Sequence, residues 1–216
     1  DLQKGEEVAV KILSQAWSED PANHKIFFQS AHQMAELRHP GVVRVEESRG
    51  LDGPHIFMVM EYLSGGTLAQ QKPLSSVRAM SFFQNLLETL AYVHQKGVLH
   101  RDIKPDNILV NKTGEVRVID FSLASRNATG VMKLLAGKQK NIMGTRTYIA
   151  PEIILRRPPT VQSDIYSLGV TLYEIVTGGP PFAGLSPNDL LKKHLSEEPA
   201  PPSVVNRNCT PELDMV

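Results

Sequence analysis

The run His100-Arg101-Asp102-Ile103-Lys104-Pro105-Asp106-Asn107 constrains this chain more than any other part of its 216 residues. It gathers a carboxylate, an ammonium and an amide into one loop between two apolar elements. Before it, Ser75 to Gln95 carries Phe83, Leu86, Leu87, Leu90 and Val93 at helical spacing. After it, Ile108 to Val110 reads as a short strand. A charged loop alone would be ordinary solvated surface. Held between buried elements, Asp102 can accept a hydroxyl proton, Lys104 can steady a phosphate, and Asn107 can offer oxygen to a hard cation.

Three further segments follow the same logic. Phosphoryl transfer asks a protein to hold phosphates, hold metal and set a hydroxyl in line. Lys11 ends the β-branched run Val8-Ala9-Val10 and would point a fixed cation at phosphates. Asp120-Phe121-Ser122 closes the strand candidate Val116–Ile119 and supplies a second carboxylate for Mg²⁺. Gly144-Thr145-Arg146-Thr147-Tyr148-Ile149-Ala150-Pro151-Glu152 then precedes Ser163-Asp164-Ile165-Tyr166-Ser167-Leu168-Gly169. Each segment alone is a strand end, a loop or a helix start; their order makes them one constellation.

Composition removes several function classes. The chain is 41% hydrophobic and 21% charged, as an ordinary globular domain is. Lys plus Arg (23) balances Asp plus Glu (23), so no basic field points to nucleic acid or a membrane surface. The single Cys209 allows no internal disulfide and suits a reducing compartment, so a cytoplasmic protein, or the cytoplasmic domain of a larger one, is expected. No apolar run approaches the roughly 20 residues that cross a bilayer.

The coarse pattern is a strand-rich part, then a helical one. Strands are expected at Val8–Leu13, Val42–Val45 and His55–Tyr62, with a turn at Leu51–Pro54. An amphipathic helix is expected over Ala22–Arg38, with Phe27, Ala31, Met34 and Leu37 inward, ending at His39-Pro40. Ser64-Gly65-Gly66-Thr67 reads as a flexible connector, and Val98-Leu99 as a further short strand. Asp164–Val176 is apolar nearly all round and reads as a fully buried helix.

With these residues in view, the chain resembles the protein kinase superfamily, whose signature set it matches over nearly its whole length. His-Arg-Asp-Ile-Lys-Pro-Asp-Asn with Lys104, and Gly-Thr before Ala-Pro-Glu, resemble serine/threonine kinases, and the Ser-Asp-Ile-Tyr-Ser-Leu-Gly segment is most similar to bacterial members. The resemblance implies an α+β bilobal fold: residues 1–63 as a partial N-lobe and 64–216 as a partial C-lobe. It further implies that the first strand, the Gly-rich loop and the last helices lie outside this sequence. ATP and Mg²⁺ are the implied cofactors and a protein Ser/Thr the implied acceptor. Met60 would be the gatekeeper, the Glu61 carbonyl and Leu63 backbone would hold adenine, and Ala9 and Leu109 would sandwich it. Met34, Val45, His100 and Phe121 would stack as a spine. Thr145 would bond Asp102 and Lys104, and Asp164 would anchor the backbone at His100-Arg101.

The sequence departs from the family pattern in four places. The Gly-rich loop is absent. Ser30 stands where the family carries the glutamate that partners Lys11, with Gln29 or Gln33 as neutral substitutes. Ser122 replaces a glycine, which predicts a stiffer loop. No Ser or Thr lies between Gly130 and Gly144, leaving Thr129, Thr147 or Ser125 as phosphosites for Arg101 to receive, and Glu152 lacks its usual arginine within these 216 residues. The leading expectation is therefore ATP-dependent phosphorylation of protein serine or threonine. Ser30 and Ser122 keep a pseudokinase or nucleotide-binding scaffold as the alternative. A small-molecule phosphotransferase fits less well, because Gly-Thr…Ala-Pro-Glu makes a peptide-docking ledge.

Overall fold

The computed structural model describes residues 5–49, 55–124 and 145–215. Three antiparallel strands form a sheet in the order β1 (Val8–Ile12), β3 (Phe57–Glu61), β2 (Val45–Arg49). In β3, buried Met58 and Met60 alternate with half-buried Phe57, Val59 and Glu61, the period of two that a pleated strand imposes. Ala9 pairs with Met60 and Lys11 with Met58. Directly opposed residues share a face, so Ala9 and Lys11 lie on the face that Met58 and Met60 occupy. Val45 meets Met60 from the other side.

Between β1 and β2 run a single-turn helix, α1 (Gln15–Ser18), and the long helix α2 (Pro21–Glu36). Asp20 caps α2, its carboxylate accepting the Ala22 N–H at 3.0 Å. Pro21 suits the first helical position, where a missing N–H costs nothing. Phe27, Ala31 and Met34 face inward as their spacing predicts, together with Ser30 and Gln33. The helix stops at Glu36, just ahead of His39-Pro40.

Residues 42–44 do not form the expected strand, which starts at Val45 instead. They dock on the second lobe: the Val43 N–H donates to the Val118 carbonyl at 3.1 Å, and the Val118 N–H to the Gly41 carbonyl at 2.7 Å. Close approach explains Gly41, since a Cβ there would stand 1.8 Å from Thr89 Oγ1. The connector is likewise not a loose hinge. Gly65 N–H donates to the Val110 carbonyl at 3.0 Å and Val110 N–H to the Gly66 carbonyl at 2.9 Å. A Cβ on Gly65 would lie 2.5 Å from the Val110 oxygen, so its glycine serves contact rather than flexibility.

In the second lobe α3 (Ser76–Gln95) starts on the Ser75 side chain, which accepts the Arg78 N–H. It buries Ala79, Phe82, Leu86, Leu90 and Val93. Phe82 is fully buried, the expected Phe83 is half-buried and packs against the core, and Leu87 lies outside it. Val98-Leu99 forms no strand. The strands β4 (Ile108–Val110) and β5 (Val116–Val118) make a hairpin. Then come α4 (Pro151–Ile154), α5 (Val161–Thr177), α6 (Pro187–Ser196) and α7 (Pro202–Val205). The α5 helix is buried along most of its circumference, as its composition predicts, although Ile165 is exposed. One apolar core runs from Phe27 and Met34 through Met58 and Met60 to Phe82 and Leu168, joining both lobes. Among the described residues no helix is long and apolar enough to cross a membrane.

Candidate active site

The loop after α3 is held by a carboxylate from α5. Asp164 is fully buried. Its Oδ2 accepts the His100 N–H at 2.9 Å and faces His94 Nε2 at 2.8 Å, while Oδ1 accepts the Arg101 N–H at 2.7 Å. Burial pushes the Asp164 pKa up. The His94 hydrogen bond, the nearby His100 and the two backbone donors outweigh it, so the carboxyl titrates below its ordinary value. The clamp holds Arg101 at φ +71°, a region that costs a non-glycine residue about 1–3 kcal/mol.

His100 translates that anchor into the site. Its Nδ1 accepts the Asp102 N–H at 3.3 Å and its Nε2 donates to the Ile119 carbonyl at 3.0 Å. That pattern requires the neutral ring, and burial pulls the pKa down in the same sense. Asp102 Oδ2 then receives Lys104 Nζ at 2.7 Å and Asn107 Nδ2 at 2.7 Å. Asn107 Nδ2 also donates to the Asp102 carbonyl at 2.8 Å. Both amide hydrogens are thereby used, and the side-chain Oδ1 of Asn107 carries no hydrogen bond among the described residues.

The β4–β5 hairpin brings the second carboxylate alongside. Ile108 pairs with Val118, and the Ile119 N–H donates to the Asn107 carbonyl at 3.0 Å, so Asp120 leaves the hairpin next to Asn107. Lys11 reaches Asp120 Oδ2 at 2.9 Å from the other lobe. Burial raises the Asp120 pKa, but Lys11, the Ser122 hydrogen bond and the nearby His100 together outweigh it, and the group ends below its ordinary value. Phe121 is buried with its ring 4.6 Å from that of His100, and it shares the core with Met34 and Val45.

The departures from the family pattern take concrete form here. Lys11 takes Asp120, not a carboxylate of α2, as its ion-pair partner. Ser30 is buried, and among the described residues its hydroxyl finds only Met34 Sδ, at 3.9 Å. Neither glutamine substitutes: Gln29 is exposed, and the buried Gln33 Oε1 has no partner among the described residues. Ser122 is not among the residues with positive φ; Asp120 carries that strain instead, at φ +66°. The Ser122 N–H donates to Asp120 Oδ1 at 3.3 Å.

Of the residues expected to hold adenine, Met60 is buried, and Ala9 and Leu109 are half-buried at the margin of the core, one from each lobe. Leu63 is buried, yet its backbone N–H and carbonyl make no hydrogen bond among the described residues. Unpaired backbone groups at such a place fit a planar heterocycle edge. The Glu61 side chain, which sequence reasoning passed over, accepts the Arg44 N–H at 2.7 Å and faces Arg117.

The remaining expected residues lie around a 3-10 turn, Thr145–Tyr148. The Tyr148 hydroxyl donates to buried Glu174, which also receives Lys72, and Ser167 Oγ donates to the Tyr148 carbonyl at 2.7 Å. Glu152 is half-buried and accepts a hydrogen bond from Ser163 Oγ, so its carboxylate is not left without a donor. Thr147 is half-buried on the turn. The Thr145 side chain, Thr129 and Ser125 lie outside the described residues. The supporting residues His94, Lys72, Ser163 and Glu174 were not anticipated. Glu174, the one charged residue in the run from Ile165 to Thr177, was a legible signal.

Comparison with known proteins agrees with this geometry. Residues 1–213 match the protein kinase domain family. The chain is 38% identical over 226 residues to the serine/threonine-protein kinase PknB of Mycolicibacterium smegmatis, covering 100% of this chain and 35% of that protein. It is 35% identical over 223 residues to PknB of Mycobacterium tuberculosis, with the same coverage. A probable serine/threonine-protein kinase of Streptomyces coelicolor is 35% identical, over 100% of this chain and 33% of its own length. The chain thus spans about a third of the length of the curated relatives it matches. By family match, relatives and bilobal fold, the chain belongs to the protein kinase domain family.

Proposed function

We propose that this segment transfers the γ-phosphoryl group of ATP to serine or threonine hydroxyls of protein substrates. The observation that carries the reading is the clasp on Asp102: Lys104 and Asn107 both hold Oδ2. A carboxylate oriented in that way can take the proton of an incoming hydroxyl as its oxygen attacks phosphorus. Lys104 balances the charge that develops beside Asp102, and Lys11 supplies a cation from the other lobe. Asn107 Oδ1 and Asp120 offer the hard oxygens that suit Mg²⁺, which often takes few protein ligands and completes its shell with phosphate and water. When bound, Mg²⁺ supplies charge neutralisation on the phosphates. Ala9, Met60, Leu109 and the backbone of Glu61 and Leu63 would hold adenine, and the Thr145–Tyr148 turn would carry the peptide. We take the segment to be cytoplasmic.

The pseudokinase alternative draws no support from the site. Lys11, Asp102, Lys104, Asn107 and Asp120 are all present and mutually engaged, and the relatives carry the names of serine/threonine kinases. Ser30 leaves Lys11 paired through Asp120 rather than unpaired. The full-length protein, tested with ATP and Mg²⁺ on Ser-, Thr- and Tyr-centred peptide libraries, is expected to label Ser and Thr peptides alone. Labelling of tyrosine peptides only, or nucleotide binding without transfer to any acceptor, would contradict the reading.

A further inference from the structure

A cleft of about 500 Å³ lies between the end of α2, the loop that follows it, Glu61 at the end of β3 and Arg117 of β5, and so draws on both lobes. Of the residues read as holding phosphate, metal or adenine, Glu61 alone lines it. Its apolar wall is Met34, Leu37 and Val42, all buried, with half-buried Val45. Its charge is one-sided. Three guanidinium groups, of Arg38, Arg44 and Arg117, line it against the one carboxylate of Glu61, in a chain whose total charge is zero. Arg44 Nε is taken by Glu46 at 2.6 Å. Arg117 holds Glu115 at 3.3 Å and reaches Glu61 Oε1 only at 3.7 Å, while that same oxygen accepts the Arg44 N–H at 2.7 Å. Arg38 is exposed and has no ion pair or hydrogen bond among the described residues. Apolar walls with a few charged groups, at a volume within the roughly 300–1,000 Å³ of small-molecule sites, suit a ligand. A neutral ligand would leave Arg38 without a counter-charge, and a cation would meet three like charges. An acid group on an apolar body answers both.

We infer that this cleft is a second binding site, which takes a small organic acid: its apolar body on Met34, Leu37, Val42 and Val45, its carboxylate among Arg38 and Arg117. Binding there has a route to the nucleotide. Glu61 lines the cleft and its carboxylate is the partner of Arg117, while its backbone is the one read as holding adenine. That coupling rests on the kinase reading; the binding itself does not. An ion pair as long as that between Arg117 and Glu61 contributes little, so a ligand carboxylate can draw Arg117 to itself. Residue 61 is then held through the Arg44 N–H with its cross-lobe tie released, and nucleotide binds more weakly. Linkage requires nucleotide to weaken the acid by the same factor.

The test uses the full-length protein carrying ¹³C-methyl methionine, since Met34 lines the cleft and reports occupancy without any assay of transfer. The probe is 2-naphthoate, with uncharged 2-naphthamide beside it. The Met34 methyl resonance is expected to move with 2-naphthoate at a Kd below about 1 mM, and the amide to bind at least about tenfold more weakly. Arg38→Ala is expected to weaken 2-naphthoate about fivefold, to leave 2-naphthamide unchanged and to leave basal transfer at the wild-type rate. Saturation with Mg²⁺ and a non-hydrolysable ATP analogue is expected to weaken 2-naphthoate about threefold. A Met34 resonance that stays in place up to about 10 mM probe would overturn the site. So would equal affinity for acid and amide, or acid binding that Arg38→Ala leaves untouched. Acid binding that nucleotide does not alter overturns the coupling through Glu61 alone. A protein that binds the acid as expected, yet transfers phosphate to no peptide and not to itself, supports the site and overturns the kinase reading.

Discussion

Asp164 organises the site without touching the chemistry. Its carboxylate meets three nitrogens, and removing it strands two backbone donors in the interior. Each buried donor left open costs about 1–3 kcal/mol. Asp164→Ala is therefore expected to lower stability by about 3 kcal/mol in denaturant titration and to abolish transfer, because the Arg101 backbone loses what holds it in the left-handed region. Ser30 presents the opposite case. Its one hydrogen bond among the described residues is a weak contact with sulfur, and Lys11 has its partner elsewhere. Ser30→Ala is expected to leave the transfer rate within about twofold of wild type; a loss of tenfold or more in a peptide assay would show that the hydroxyl works for Lys11 after all. The site was legible where residue types carry chemistry by themselves, as with Asp102, Lys104, Asn107 and Asp120. It was not legible where the partner comes from a distant element: no local pattern links His94 to Asp164 or Lys72 to Glu174.

Periodicity identified α2 and α3, each of which buries one face against a common core, and an apolar run identified α5, which is buried along most of its circumference. It misjudged segments whose conformation depends on the other lobe. Residues 42–44 have β-branched character, yet the Val42 N–H donates to the His39 carbonyl and the Val43 N–H to Val118 of β5, while the Arg44 carbonyl accepts the Glu61 N–H of β3. Phe82 and Phe83 are adjacent and equally apolar, so the phase of α3 is set by packing, not by composition. The glycines of the connector suggested flexibility from sequence, whereas contact with Val110 is what requires Gly65. Gly65→Ala must push a methyl group against a main-chain oxygen that is itself hydrogen-bonded to residue 65. A loss of about 2 kcal/mol is expected, read as a lower melting temperature with the ATP KM raised. An unchanged melting temperature would mean that the connector yields freely.

For the whole molecule, acid should act in two stages. His100 and His194 both have folded pKa values below the usual histidine range. The unfolded chain binds their protons first, so their contribution is complete above about pH 6.5 and is lost as pH falls below it toward the folded values. Asp120 and Asp164 are depressed carboxylates. Their contribution is complete above about pH 3.9 and is lost only as pH falls through their lower folded values. Equilibrium unfolding from pH 8 downward is expected to show stability flat to about pH 6.5, a gradual decline, then a steeper loss below about pH 4. A profile flat down to pH 5 would contradict the buried neutral state of the histidines. The proposed transfer runs across both lobes, with Asp102 as base and Lys11 and Asp120 serving the phosphates. Intact-mass spectrometry of the dephosphorylated full-length protein, incubated with ATP and Mg²⁺ beside its Asp102→Asn variant, tests it most directly. The account predicts phosphate added to the wild type, and a variant at least 10²-fold slower. Equal mass gain in both proteins, or none in either with Ser/Thr peptides also unmodified, would contradict it.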